Sequence, residues 1–329
     1  MTEELIETID NFFIEKYGKT AGRTAIINLC CIASMKVKNL PILLNVLKIA
    51  PSRQYKSQVQ DSLIRILSNS CPVVRLPSNI TAHGLIEDIE RNKIRINDRA
   101  MSLNDMNVTL SGRSRGLKAT FMNTMSELLS EGTTGYSNKP SGGTHTIQAR
   151  TCMMANISSD AYNEHRKLIY STTFGNRFLK NYYNVPLEEQ EKLSETKGMR
   201  FKLKWDCRKI TLKQTEIKLS DDMYAKIREI SRKLLPYALS PNYDDFLDKI
   251  IALIEGYTLI LGETEVNDNS LKILERLEEY IKPLERHEKI MVELLKGASW
   301  NDIQDKFSMN STKPLSRAYG EIKSRLLVG

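Results

Sequence analysis

The chain has 329 residues, 41% of them hydrophobic, which allows a sizeable buried core and two or three domains. Its formal charge of +8 favours an anionic partner, because clustered lysines and arginines release condensed counterions when they meet a phosphate backbone. The absence of a long apolar run, and an acidic, amphipathic start (MTEELIETID), lead us to expect neither a membrane span nor an export signal and predict a cytoplasmic or nucleoid-associated protein.

Residues 1–40 are predicted helical: Leu5, Ile9, Phe12 and Phe13 share a face, and a second apolar stretch follows Gly22. From residue 40, LPILLNVLKI reads as a strand, APSRQYKS as a polar turn, and SQVQDSLIRILSN as a helix through Val59, Leu63, Ile64 and Leu67. Strand, polar turn and helix form the context of a phosphate-binding loop. CPVVRL, NKIRIND and TIQARTCMMANIS are further predicted strands, with helices such as LKATFMNTMSELLSE between them. This alternation predicts an α/β fold with a parallel sheet. The segment EGTTGYSNKPSGGTHT, residues 131–146, reads as an exposed loop, and residues 199–219 as a basic ribbon or extended connector. Beyond 219 the chain is predicted helical, ending in a short-helix unit over 285–329.

A phosphate loop needs backbone N–H groups aimed at phosphate, a lysine for the β/γ oxygens and a Ser or Thr for magnesium. In Ala50-Pro51-Ser52-Arg53-Gln54-Tyr55-Lys56-Ser57 the Lys56-Ser57 pair is in place, but Ala50 and Tyr55 stand where glycines are usual. Tyr55 is therefore expected to distort or narrow the cradle. The alternative reading is an exposed Lys-Ser at a helix start. Asp98, taken as the end of NKIRIND, is the candidate carboxylate for holding magnesium, with Arg99 where a water-polarising acid would follow. Asn156, at the end of TCMMANIS, is either a residue that orients water near a γ-phosphate or a turn residue after a strand.

Cys30, Cys31, Cys71, Cys152 and Cys207 lack CxxC spacing, and His83, His145, His165 and His287 lack a paired-ligand pattern. Basic residues gather in 91–118, 197–213 and 313–325. The last stretch lies in RHEKIMVELLKG, SWNDIQDKF and NSTKPLSRAYGEIKSRLLVG, which have the lengths of a helix-turn-helix or winged-helix module. Asn310 or Ser311 is the expected cap of its third helix. Lys313, Arg317, Lys323 and Arg325 give that helix a basic face suited to DNA phosphates, with Leu315, Tyr319, Ile322 and Leu326 inward. Modules of this kind also serve as protein contacts.

The succession LKIAPSRQYKS, LPSNITAHGLIEDI, KIRINDRAMSL, FMNTMSELLSEGTTGYSNKPSGG, TCMMANIS and FGNRFLKNYY resembles phage, plasmid and archaeal AAA+ P-loop ATPases distantly similar to minichromosome-maintenance helicases. The resemblance spans roughly residues 40–190. It implies a phosphate-loop lysine at Lys56, a strand-end aspartate at Asp98, a sensor asparagine at Asn156 and an arginine finger at Arg177. The segment IIALIEGYTLILGETEVNDNSLKILERL resembles the lid helices of such ATPases, and Tyr243 and Asp244 stand where a nucleotide-sensing arginine is common. The implied organisation is a helical segment (1–40), an AAA+-like core (41–195), a connector and helical lid (196–284) and the C-terminal module (285–329). ATP and Mg2+ are the implied cofactors, with Ser57 and Asp98 toward the metal, and a finger acting in trans implies a homo-oligomeric ring or filament. Three functions follow as expectations. One is a DNA-binding protein of replication, repair or mobile-element maintenance with weak or lost hydrolysis. Another is an active DNA-dependent ATPase or helicase. The third is a non-enzymatic DNA-binding regulator or architectural assembly protein.

Overall fold

A computed structural model of the chain describes residues 3–67, 72–138, 143–195, 212–240 and 242–325. The apolar run after residue 40 becomes β1 (Val46–Ala50), whose five residues are all buried, as a strand covered on both faces requires. β2 (Val73–Arg75), β3 (Arg99–Leu103), β6 (Thr151–Ser158) and β7 (Leu179–Tyr182) join it in one five-stranded sheet of order β2-β3-β6-β1-β7, every pairing parallel. Alternation along β1 divides the core: Val46 and Ala50 face one apolar cluster, Leu47 and Ile49 the other.

Two layers of helices cover the sheet. One face carries α4 (Ala82–Glu90), α5 (Met106–Leu110), α6 (Arg115–Glu131) and α7 (Ser159–Ser171). The other carries α1 (Glu3–Gly22), α2 (Thr24–Ser34), α3 (Lys56–Ile66), α9 (Asp221–Ala238), α10 (Tyr243–Leu261) and α11 (Asp268–Ile281). A short α8 (Leu187–Glu195) follows β7, and its Glu189 carboxylate accepts from the Thr20 amide (2.8 Å) and hydroxyl (2.7 Å) beside the bend at Gly18, where φ is 79°. All eleven residues of α2 are buried, between the sheet and α10. Gly256 brings α10 against α2 so closely that a Cβ there would stand 2.6 Å from the Cys30 carbonyl oxygen. The N-terminal helices and the expected lid helices thus share one apolar cluster with the sheet.

Three expected elements differ. NKIRIND is not a strand: Asn92 and Asp98 take left-handed backbone (φ 56° and 54°), and the strand begins at Arg99. The described residues of 133–146 are not an exposed loop: they lie in β4 (Thr133–Asn138) and β5 (Gly143–Gln148), which pair as a separate two-stranded antiparallel sheet, while Glu131 ends α6 and 139–142 lie outside the described residues. The strand-favouring Thr133, Thr134, Thr144 and Thr146 outweigh the glycine and serine content that reads as loop. TIQARTCMMANIS is accordingly two strands, parted at 149–150. The connector expected over 199–219 lies outside the described residues up to 211, and the remainder forms isolated bridges at Thr215 and Lys218.

The C-terminal unit consists of α12 (Arg286–Leu295), α13 (Trp300–Lys306) and α14 (Lys313–Arg325) around a small core of Ile290, Ile303, Leu315 and Ile322, which Leu239 at the end of α9 joins. Ala318 fills the inward position expected of Tyr319, which is exposed and meets Trp300 edge-on. Leu326 lies outside the described residues, and the Ser311 hydroxyl accepts weakly from the Lys313 amide (3.4 Å). No strand accompanies these helices among the described residues. No described helix is long and apolar enough to cross a membrane.

Candidate functional site

Between β1 and α3 the loop turns through two left-handed residues, Arg53 (φ 64°) and Tyr55 (φ 60°). Side chains other than glycine each cost about 1–2 kcal/mol in that conformation. The loop is held by Gln54: its side chain donates to Asn184 Oδ1 (2.6 Å) and accepts from the Val185 amide (2.8 Å), and its carbonyl accepts from the Tyr183 hydroxyl (2.9 Å). The Tyr55 ring packs toward α1, 5.9 Å from the ring of Tyr17, so the expected narrowing of the cradle does not arise from its bulk. Helices α4 to α7 each have a capping side chain, but α3 has none. Its first N–H groups remain available to an anion.

Lys56 folds back over this turn, its Nζ donating to the carbonyls of Ala50 (2.8 Å) and Pro51 (2.6 Å). Burial pushes its pKa down to about 8, against the opposing pull of the Asp105 carboxylate. Ser57 Oγ donates to the Asn104 carbonyl (2.8 Å), so the Lys-Ser pair meets the carboxyl end of β3. Asp98 is not there. It is exposed at the amino end of β3, where its amide donates to the Arg150 carbonyl (2.9 Å) at the opposite edge of the sheet. The residues that follow β3 at the loop edge are Asn104 and Asp105, six and seven positions beyond the expected aspartate. Asn104 Nδ2 donates to Asp61 (3.0 Å), and Asp105 caps α5 by accepting from the Asn107 amide (2.9 Å). Asp105→Ala is therefore expected to cost about 1 kcal/mol of stability through the lost cap, and Asp98→Asn only a few tenths. Thermal denaturation distinguishes them, and an equal loss from both would contradict this geometry.

Asn156 is buried within β6 rather than ending it, and lies in register with Lys48 of β1, which pairs on its other side with Asn181 of β7. Equivalent positions on adjacent parallel strands stand about 4.8 Å apart with side chains on the same face. Lys48 Nζ and both amide atoms of Asn156 and Asn181 have no hydrogen-bond partner among the described residues. Burial pushes the Lys48 pKa down to about 7, with a smaller contribution from the neighbouring Lys56 charge. Sequence reasoning missed Lys48, although it is the one charge in a buried run of five.

Arg177 ends a 3-10 turn (Phe174–Arg177) before β7, at the sheet edge opposite the loop, with its Nε donating to Ser126 Oγ (3.1 Å). It does not meet Lys56 of its own chain. In the C-terminal unit Lys313, Arg317 and Lys323 are exposed, and the side chain of Arg325 lies outside the described residues. Lys313 and Arg317 lie about 40° apart around α14, but Lys323 is about 120° from Arg317, so the three do not form a single row. Cys30, Cys31 and Cys152 are free buried thiols, and Cys71 and Cys207 lie outside the described residues.

A second polar cluster, absent from the sequence reading, joins α12 to the sheet. The buried Glu288 accepts from the Tyr162 hydroxyl (3.2 Å), Tyr162 contacts the hydroxyls of Tyr170 and Tyr182, and Lys180 donates to Tyr170 (2.5 Å). Burial pushes the Glu288 carboxyl above its usual range, with Lys180 and Arg166 opposing.

No protein-family model matches the chain, and no curated protein matches it. The fold and the loop define its class: an α/β protein with a five-stranded parallel sheet and a lysine-serine turn at the carboxyl end of β1.

Proposed function

We propose that the chain is a nucleotide-binding, DNA-associated protein of the AAA+ P-loop type, acting in replication, repair or mobile-element maintenance with weak or lost ATP hydrolysis. The observation that carries this reading is the meeting of Lys56 and Ser57 with the Asn104-Asp105 end of β3. The sheet supports it as well: β1, β3 and β6 run parallel, so the loop after β1 and the residues after β3 open at the same carboxyl end, where open α/β sheets take ligands.

The loop fits a phosphate group through its left-handed turn, its uncapped helix start and the Lys56 amine. Ser57 and Asp105 would lie toward magnesium. Asn104 presents a neutral amide at the end of β3, and an amide neither holds magnesium as strongly as a carboxylate nor polarises water. ATP is thus expected to be retained better than it is hydrolysed. Arg177, at the far edge of the sheet, can serve such a site only from a second copy, in a ring or filament. The net charge and the exposed lysines and arginine of α14 supply the attraction to DNA.

ATP with magnesium at about 100 times Kd is expected to stabilise the protein by about 2.7 kcal/mol, and Lys56→Ala to remove that gain. An unchanged melting temperature at millimolar ATP and magnesium would sink the nucleotide-binding reading. One observation favours a second reading, a DNA-binding regulator or assembly protein without nucleotide: Lys56 already donates to two loop carbonyls. DNA binding with no response to ATP would select it.

A further inference from the structure

A cavity of about 900 Å³ opens between α7 and the C-terminal helices α12 and α14. Its volume falls in the range of small-molecule sites. Arg166, Lys167 and Tyr170 of α7 form one wall, Asn176 one end, and His287 and Arg317 the facing side. Three permanent cations therefore converge from two elements onto one space. The carboxylate among them, Glu321, accepts from Arg166 (3.5 Å) and faces His287 Nε2 (2.8 Å), holding α7, α12 and α14 together. Lys167 and Arg317 have no ion pair among the described residues.

Two further observations bear on what the cavity takes. Arg166 Nε and Asn176 Oδ1 are buried and lack a hydrogen-bond partner among the described residues, and both residues line the cavity. A donor and an acceptor left unmade in this way are expensive unless a ligand completes them. Gly320 lies on the cavity side of α14, inside a helix where glycine is unfavourable, and a Cβ there would meet nothing within 4 Å. Its absent side chain serves no internal packing and widens the cavity instead.

We propose that this cavity binds a small phosphorylated molecule of mononucleotide size, its phosphate held by Arg166, Lys167 and Arg317 and its polar body by Asn176. The site is separate from the Lys56 loop and spans the junction of the sheet layers with the C-terminal unit. Binding there fixes how that unit is held.

The test uses the full chain, with AMP and a short oligothymidylate as probes and thermal denaturation as the readout. Variants are Gly320→Gln, the rim double variant Lys167→Glu/Arg317→Glu, and Lys56→Ala. Millimolar AMP is expected to raise the melting temperature of the wild type and of Lys56→Ala alike, and to lose at least tenfold in affinity in both cavity variants. Gly320→Gln is expected to fold at least as well as the wild type, since it replaces a helical glycine without a clash. The proposal is overturned if AMP has no effect on the wild type, or if its effect survives both cavity variants. Loss of the effect in Lys56→Ala alone overturns it too, by assigning AMP to the loop. A cavity-dependent shift with the oligonucleotide but not with AMP replaces the small ligand by a nucleic-acid strand.

Discussion

Lys48→Met is expected to raise the stability of the protein, most at and below pH 7. The amine of Lys48 is fully buried in the central strand, has no hydrogen-bond partner among the described residues, and feels the charge of Lys56. Its pKa falls from an ordinary 10.5 to about 7 in the folded chain. Between those values the unfolded chain binds a proton that the folded chain does not, so stability rises with pH across the window. Below pH 7 both states are charged and the folded state bears the whole penalty, about 5 kcal/mol for a shift of this size. Methionine matches the length of the lysine stem and carries no charge. The gap between variant and wild type, measured by denaturant unfolding, is expected to be widest near about pH 7 and to close toward about pH 10. A gap independent of pH, or a variant less stable than the wild type, would refute the account. The penalty falls beside Lys56, with Asn156 and Asn181 in register on the two adjacent strands.

The second large effect is expected at Gly256, where replacement by valine forces α10 away from α2. A Cβ 2.6 Å from the Cys30 carbonyl oxygen meets backbone, which cannot rotate aside as a side chain can. Gly256→Ala is expected to cost about 3 kcal/mol, and the valine variant more, enough to threaten a domain of ordinary stability. Gly320→Ala, in a helix with open space around the site, is the matched control and is expected to be neutral or stabilising. Equal melting temperatures for Gly256→Ala and the wild type would mean that the two helices are not in contact as described.

What was legible in the sequence was local. A buried run followed by 3.6-residue periodicity marked β1 and α3, and the Lys56-Ser57 turn fell between them. The sequence points to Asp98 because KIRI alternates basic and apolar residues as a half-exposed strand does, whereas β3 is the short run RAMSL, followed by the polar pair Asn104-Asp105. The pairing of β4 with β5 was hidden by their glycines and serines. Lys48 escaped because hydrophobic pattern averages over a strand, and a single charge barely changes the average. Which apolar helix covers which face is not a local property, so neither the burial of α2 under α10 nor the cavity beside α14 was visible before the elements were assembled.

The covering of α2 also constrains how the chain can fold during its synthesis. Residues 24–34 are mostly apolar and buried throughout, yet the helix that shields them, residues 243–261, leaves the ribosome roughly 200 residues later. Contacts of such sequence separation close slowly. For that interval the nascent chain carries a sticky helix near its amino end, and the early segments must wait in a loosely collapsed state, or under a chaperone, until the late helix arrives.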